Sequence, residues 1–221
     1  MQRFSDYAYH ADVVPHGAVH LVGPLEGLCG ELNPAVRILD VGCGRGFYSG
    51  WFAAHGCTVV GIDSDPTALS LARRAYPTCR FEEADLSDGV LDRLGELPFD
   101  LVVCAKSIDG LPDPLAFAED CFDALRPGGR LVCAAPVTSY LRTMARAVAG
   151  ASAGRLLPSV GDQVRAWDRK ALARLLRDAG FENVQFRGVG RVPLLWASMI
   201  VAADRPIETL TFRSEWPPLV A

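Results

Sequence analysis

A chain of 221 residues, half of them hydrophobic, can bury one substantial core, which excludes a largely disordered protein. Its formal charge of −4 and isoelectric point near 5.6 exclude the clustered Lys and Arg of a broad nucleic-acid footprint, and Arg142 and Arg146 are too sparse to reverse that. No apolar run reaches the roughly 20 residues that span a bilayer, and Met1-Gln-Arg-Phe-Ser-Asp lacks the apolar centre of a signal peptide, so the expected location is the cytoplasm.

The first 36 residues carry Tyr7, Tyr9, His10, His16 and His20 ahead of any strand signal and stand outside the rhythm that follows. From residue 37 short β-rich runs alternate with amphipathic stretches, the signature of a parallel sheet covered on both faces by helices. Seven strands are expected, over 37–41, 58–62, 80–83, 101–104, 130–134, 184–187 and 197–202. Helices are expected over 46–55, 66–75, 114–125 and 168–179, each with apolar residues at three- and four-residue spacing. Asp65 ahead of Pro66 reads as an N-cap with proline in the first turn; Pro127-Gly-Gly129 and Gly180 read as helix stops. The connection over 135–167 is long for a compact domain and carries a candidate helix over 140–148. It begins beyond the carboxyl end of a strand, where ligands of open α/β sheets sit, so it is read as a cap. The tail over 205–221, with Trp216-Pro-Pro218, carries no clear signal.

Cysteines stand singly at 29, 43, 57, 79, 104, 121 and 133, with no CxxC and no paired His spacing, so no metal site is expected. Cys57, Cys104, Cys121 and Cys133 lie in or beside apolar segments and read as reduced core residues.

The most informative stretch is Arg37-Ile-Leu-Asp-Val-Gly-Cys-Gly-Arg-Gly46, an apolar strand that runs straight into Gly42, Gly44 and Gly46. A strand feeding a glycine turn and then a helix brings bare backbone and helix-start N–H groups to a ligand. Two turn classes compete: GxGxxG of dinucleotide enzymes and GxGxG of methyl-donor enzymes. Phe47 stands in the place of the third dinucleotide glycine. Asp63, at the end of the second strand, can accept hydrogen bonds from both ribose hydroxyls of an adenosine over the turn, a feature both classes share. The third strand discriminates. Phe81-Glu-Glu-Ala-Asp85-Leu86 ends in an acid that can receive the adenine amino group while Leu86 packs on the ring. Cys43 inside the turn is a candidate redox or nucleophilic group, with backbone-driven filler as the simpler reading.

These residues resemble class I S-adenosylmethionine-dependent methyltransferases of the small-molecule branch, of the ubiquinone-biosynthesis type. The likeness runs over about 36–203. Leu39-Asp-Val-Gly-Cys-Gly-Arg-Gly46 matches the glycine motif, Asp63 the ribose acid and Asp85 the adenine acid. Phe99-Asp-Leu-Val-Val-Cys104, Leu125-Arg-Pro-Gly-Gly-Arg-Leu-Val132 and Asp178-Ala-Gly-Phe-Glu-Asn-Val184 resemble the later strands and turns. The resemblance implies a Rossmann-like, doubly wound α/β fold: a seven-stranded, mostly parallel sheet whose antiparallel last strand lies between the fifth and sixth. It implies an N-terminal lid over 1–36, a core over 37–204 with the cap inserted at about 135–167, and a tail. It implies S-adenosylmethionine held by Asp40, Gly42, Cys43, Gly44, Gly46, Asp63, Ser64, Asp85, Leu86, Ala105 and Lys106, with Asp40 anchoring the methionine amino end. Methyl transfer to an oxygen or nitrogen of a small molecule is the lead, with carbon or sulfur in reserve; no nucleic-acid or membrane partner is expected of this monomer or homodimer.

The chain also departs from the family. Many relatives carry an acid and later a His after the fourth strand, whereas this chain reads Ala105-Lys-Ser-Ile-Asp-Gly-Leu-Pro-Asp113, with Lys106 and Gly110 in those places. The absent His leaves room for a cofactor-binding scaffold without turnover; an NAD-dependent dehydrogenase is the further alternative. Candidate bases or substrate contacts are therefore His10, His16 and His20 near the lid and Tyr140, with Ser139, beyond the fifth strand. Each His also suits a surface or capping role. His55 reads as a helix-end residue and Trp167 and Trp196 as core.

Overall fold

A computed structural model describes residues 19–84, 94–95, 98–105, 108, 111–136, 167–189 and 198–207. Seven strands form one sheet: β1 Arg37–Val41, β2 Thr58–Asp63, β3 Arg80–Glu83, β4 Phe99–Cys104, β5 Leu125–Pro136, β6 Glu182–Val189 and β7 Ser198–Asp204. Their order is β3-β2-β1-β4-β5-β7-β6. The pairs from β3 to β5 are parallel, and β7 runs antiparallel to both β5 and β6, as the family resemblance implies. The order reverses between β1 and β4, which opens a crevice at their carboxyl ends. Among the described residues no helix is long and apolar enough to cross a membrane.

Side-chain alternation divides the core into two layers. Ile38, Val59, Leu101, Val103, Val132 and Ile200 face one side with α1 Val19–Cys29, α2 Phe47–Ala54 and α3 Pro66–Ala75. Leu39, Val60, Val102, Leu131 and Val201 face the other with α4 Pro114–Ala124 and α5 Arg169–Asp178. Because both faces are covered, the central strands are apolar almost throughout. Within β1 the buried exception is Asp40, which by the two-residue period shares the face of α2.

The helix starts follow side-chain chemistry. Asp65, Asp113 and Asp168 are N-caps whose carboxylates accept from the backbone N–H groups of Thr67, of Leu115 and Ala116, and of Ala171, respectively. Strand and helix bounds otherwise shift by a few residues. Gly46 is left-handed (φ 76°) and stands outside α2, so the helix expected over 46–55 starts at Phe47. β5 begins at Leu125, well before the expected 130, because residues 126–129 form an irregular passage between Leu125, opposite Phe99, and Arg130, opposite Leu101. Gly128 and Gly129 there exchange backbone bonds with Arg205.

Helix α1 is an element that sequence patterning did not indicate. Gly23, Pro24 and Gly27 break its propensity, yet Leu21, Val22, Leu25 and Leu28 bury one face on the sheet. Arg130 fastens it: its guanidinium grips both carboxylate oxygens of Asp204 at 2.6 and 3.2 Å and donates to the Leu28 carbonyl at 3.0 Å. The candidate helix over 140–148, most of the expected cap and Trp196 lie outside the described residues.

Gly61 in mid-β2 is a steric requirement. It sits opposite Phe81 on β3, and a Cβ there would meet the Phe81 ring at 2.7 Å and the Cys43 sulfur at 3.0 Å. Gly61→Ala is expected to destabilise the protein by about 1–3 kcal/mol, since both neighbours are buried and cannot give way freely. Thermal unfolding should show a midpoint lower by roughly 3–10 °C; an unchanged midpoint would refute the packing argument.

Candidate functional site

The turn after β1 is built from three left-handed glycines, with φ of 69° at Gly42, 53° at Gly44 and 76° at Gly46. A residue bearing a Cβ would cost about 1–2 kcal/mol at each. The N–H groups of Gly42 and Cys43 both donate to the Ile62 carbonyl, at 2.8 and 3.0 Å, which stitches the turn to the end of β2. Gly44 and Gly46 then differ. A Cβ on Gly44 would meet nothing within 4 Å among the described residues, so this side of the turn is open to them, whereas one on Gly46 would strike Phe81, Ala72 and Tyr76 at 2.9–3.1 Å. The turn is thus closed from behind by side chains of α3, the residue that follows it and β3, and open in front. No side chain caps α2, which starts here.

Asp63 completes the frame. Its Oδ2 accepts the Gly44 N–H at 2.7 Å and its Oδ1 the Asp65 N–H at 2.9 Å. Each carboxylate oxygen has a second lone-pair position, so two acceptor positions remain for a pair of hydroxyls. Ser64 follows, exposed, and Ala105 is buried just past the end of β4.

Asp40 differs in environment. It is 1% exposed, and its Oδ2 accepts a 2.6 Å hydrogen bond from the hydroxyl of Ser49 on α2, itself 0% exposed. Its Oδ1 is buried without a hydrogen-bond partner among the described residues. Burial pushes its carboxyl up to about 6, and hydrogen bonds from Ser49 oppose the rise. Sequence reasoning missed Ser49; its signal was a lone serine within the buried, largely aromatic run Phe47-Tyr-Ser-Gly-Trp-Phe52.

Cys43 is buried, its sulfur packed towards Gly61, and burial pushes its thiol well above the ordinary range. That is an inert filler rather than a nucleophile. His55 caps α2, with Nδ1 2.8 Å from the Trp51 carbonyl and its ring against Trp51. Trp167 packs against the α4 and α5 layer. His10, His16, Ser139, Tyr140, Asp85, Leu86 and Lys106 lie outside the described residues, and of His20 the backbone alone is described, within α1. The structure therefore brings together Asp40, Gly42, Cys43, Gly44, Gly46, Asp63, Ser64 and Ala105 around the carboxyl ends of β1, β2 and β4.

A cavity of about 550 Å³ opens at the opposite end of the sheet, among Asp100, Arg126, Arg130 and Asp204. Its three arginines are engaged, Arg126 with Asp100, Arg130 with Asp204 and Arg205 with the carbonyls of Phe122 and Leu125, so the cavity is explained by ion pairs and hydrogen bonds that hold the fold. The glycine turn, not this cavity, is the candidate site.

A family model described as a methyltransferase domain matches residues 18–186. The ubiquinone biosynthesis O-methyltransferase of Aromatoleum aromaticum is 30% identical over 213 residues, covering 88% of this chain and 86% of that protein. Its namesake in Xylella fastidiosa (strain 9a5c) is 35% identical over 176 residues, 76% of this chain and 69% of that one. The magnesium protoporphyrin IX methyltransferase of Synechocystis PCC 6803, solved with bound SAH, matches with a TM-score of 0.64 at 18% identity, over 93% of this chain and 89% of that chain, and so shares the fold. The match spans the glycine turn, Asp63 and strands β1 to β5: the chain belongs to the methyltransferase domain family, and S-adenosylmethionine is its methyl donor.

Proposed function

We propose that this enzyme methylates an oxygen of a small-molecule metabolite, with nitrogen the second choice of acceptor. The carrying observation is the frame in which Asp63 grips Gly44 while the front of that glycine stays open. Its residues fit the donor. Asp63 would take the ribose hydroxyls on its two remaining acceptor positions, the backbone at Gly42, Gly44 and Gly46 would pass close beneath the nucleoside, and the unpartnered Oδ1 of Asp40 would take the methionine amino end. Asp85 and Leu86 would serve the adenine, with Ser64, Ala105 and Lys106 at the margin. The choice of oxygen rests on the curated relatives, which carry O-methyltransferase names at 30% and 35% identity.

When bound, the donor supplies a methyl group already made electrophilic by its sulfonium. The protein's task is then mainly to align the acceptor and to exclude water. A turn that presents bare glycine backbone suits this, because over-stabilising the positive sulfur would favour the ground state over the transition state. A base is required only for a poorly acidic hydroxyl. Gly110 stands where many relatives place a His, so that role falls to His10, His16, His20 or Tyr140. Burial of Leu21, Val22, Leu25 and Leu28 puts α1 in the core, so the lid role is assigned to the residues ahead of it, and the cap role to about 135–167. A cytoplasmic monomer or homodimer completes the reading.

S-adenosylhomocysteine should raise the midpoint of thermal unfolding and NADH should not. Asp63→Ala is expected to weaken S-adenosylhomocysteine binding by at least about 30-fold, through loss of charge-assisted hydrogen bonds. Retention of full affinity would contradict the ribose role. With methyl-labelled S-adenosylmethionine, a panel of hydroxyl-bearing acceptors should take up label where matched amines do not. Label on the amines alone would overturn the oxygen assignment, and label on neither, with binding intact, would favour a scaffold.

A further inference from the structure

Ser49 and Asp40 form a buried pair between α2 and β1, and the pair is asymmetric. A hydroxyl has one proton to donate, and it goes to Oδ2 at 2.6 Å. The other carboxylate oxygen is buried with no partner among the described residues, an arrangement that costs free energy unless something supplies a donor there. The other titratable groups that act on this carboxyl are Asp63 at the end of β2, Cys43 in the turn, Tyr48 on α2 and Cys79 ahead of β3. None of these is a cation. Ser49, through its hydroxyl and its backbone N–H, is the group among them that favours the ionised form.

We propose that Ser49 is a positioning residue for donor binding: it fixes Asp40 in one rotamer, ionised, with Oδ1 reserved for the cationic amino end of the donor. The inference rests on the cofactor reading above and adds to it the device that makes a buried carboxylate serviceable. It also explains why a fully buried serine sits among the aromatic residues of α2.

The sign of the pH dependence follows. Asp40 titrates near 6 in the free protein, above the ordinary carboxylate value of 3.8. A cationic amino group selects the ionised form, so affinity should rise as the pH climbs through about 6 and level off above it. Removing the hydroxyl favours the protonated form and moves the inflection upward.

The test is calorimetric titration of S-adenosylhomocysteine from about pH 5 to 8.5 into the wild-type protein, Ser49→Ala, Ser49→Cys and Asp40→Asn. Ser49→Ala should shift the inflection up by about one pH unit, which lowers affinity about fivefold near pH 6 and leaves it within about twofold of wild type at pH 8.5. Ser49→Cys, a close isostere with a weak donor, should shift it the same way by less, and provides the readout where the alanine variant folds poorly. Asp40→Asn should bind weakly with no inflection. A loss of equal size at every pH, or an unmoved inflection, overturns the role of Ser49 while leaving the cofactor site standing. Failure of the wild-type protein to bind at any pH overturns the cofactor reading and this inference together.

Discussion

The hydrogen bond from the Gly44 N–H to the Asp63 carboxylate is the constraint on which the site depends. Three left-handed glycines at alternate positions have no side chains with which to hold a shape, so the turn must be held from outside. The Ile62 carbonyl does so from the strand backbone and Asp63 from its side chain, one residue later on the same strand. Parallel pairing of β1 with β2, in which Val41 sits opposite Ile62, sets the height at which those anchors meet the turn. A register slip by one residue would turn Asp63 to the other face of the sheet.

Packing behind the turn keeps the front open. Tyr76 lies against Gly46 and Gly50, and Phe81 lies against Gly46 and Gly61, so glycines on a turn, a helix and a strand accept two aromatic rings. The close approach lets α2 and α3 sit low against the sheet, and the open side of Gly44 is the complement of that density. The same closeness buries Asp40 beside Ser49. Stability and binding therefore draw on one feature: the glycines that make the layer dense behind the turn leave bare backbone in front of it.

Much of this was legible in the sequence. Short β-rich runs bounded by turn residues located all seven strands; the central ones are near-continuously hydrophobic because both faces are covered, whereas the edge strands β3 and β6 carry polar residues. Asp65 ahead of Pro66 announced its helix, and the glycine spacing with Asp63 announced the site. The position of β7 between β5 and β6 was legible through family resemblance and not through periodicity. Helix α1 was hidden because Gly23, Pro24 and Gly27 argue against a helix, and tertiary burial of four apolar side chains overrides them. The start of β5 was hidden because Pro127-Gly-Gly129 reads as a stop, whereas the strand passes through it as an irregularity. Ser49 was hidden for a different reason: its importance lies in a contact with β1, and a single serine in a mainly aromatic stretch has no periodic signature.

The central claim is that the donor is held between Asp63, the glycine turn and Asp40 at the carboxyl ends of β1 and β2. A crystal structure with S-adenosylhomocysteine tests it most directly. The account predicts both ribose hydroxyls within about 3 Å of the Asp63 carboxylate and the amino nitrogen at a similar distance from Oδ1 of Asp40. A ligand seated instead in the cavity among Arg126, Arg130 and Asp204, or an amino end directed away from Asp40, would contradict it.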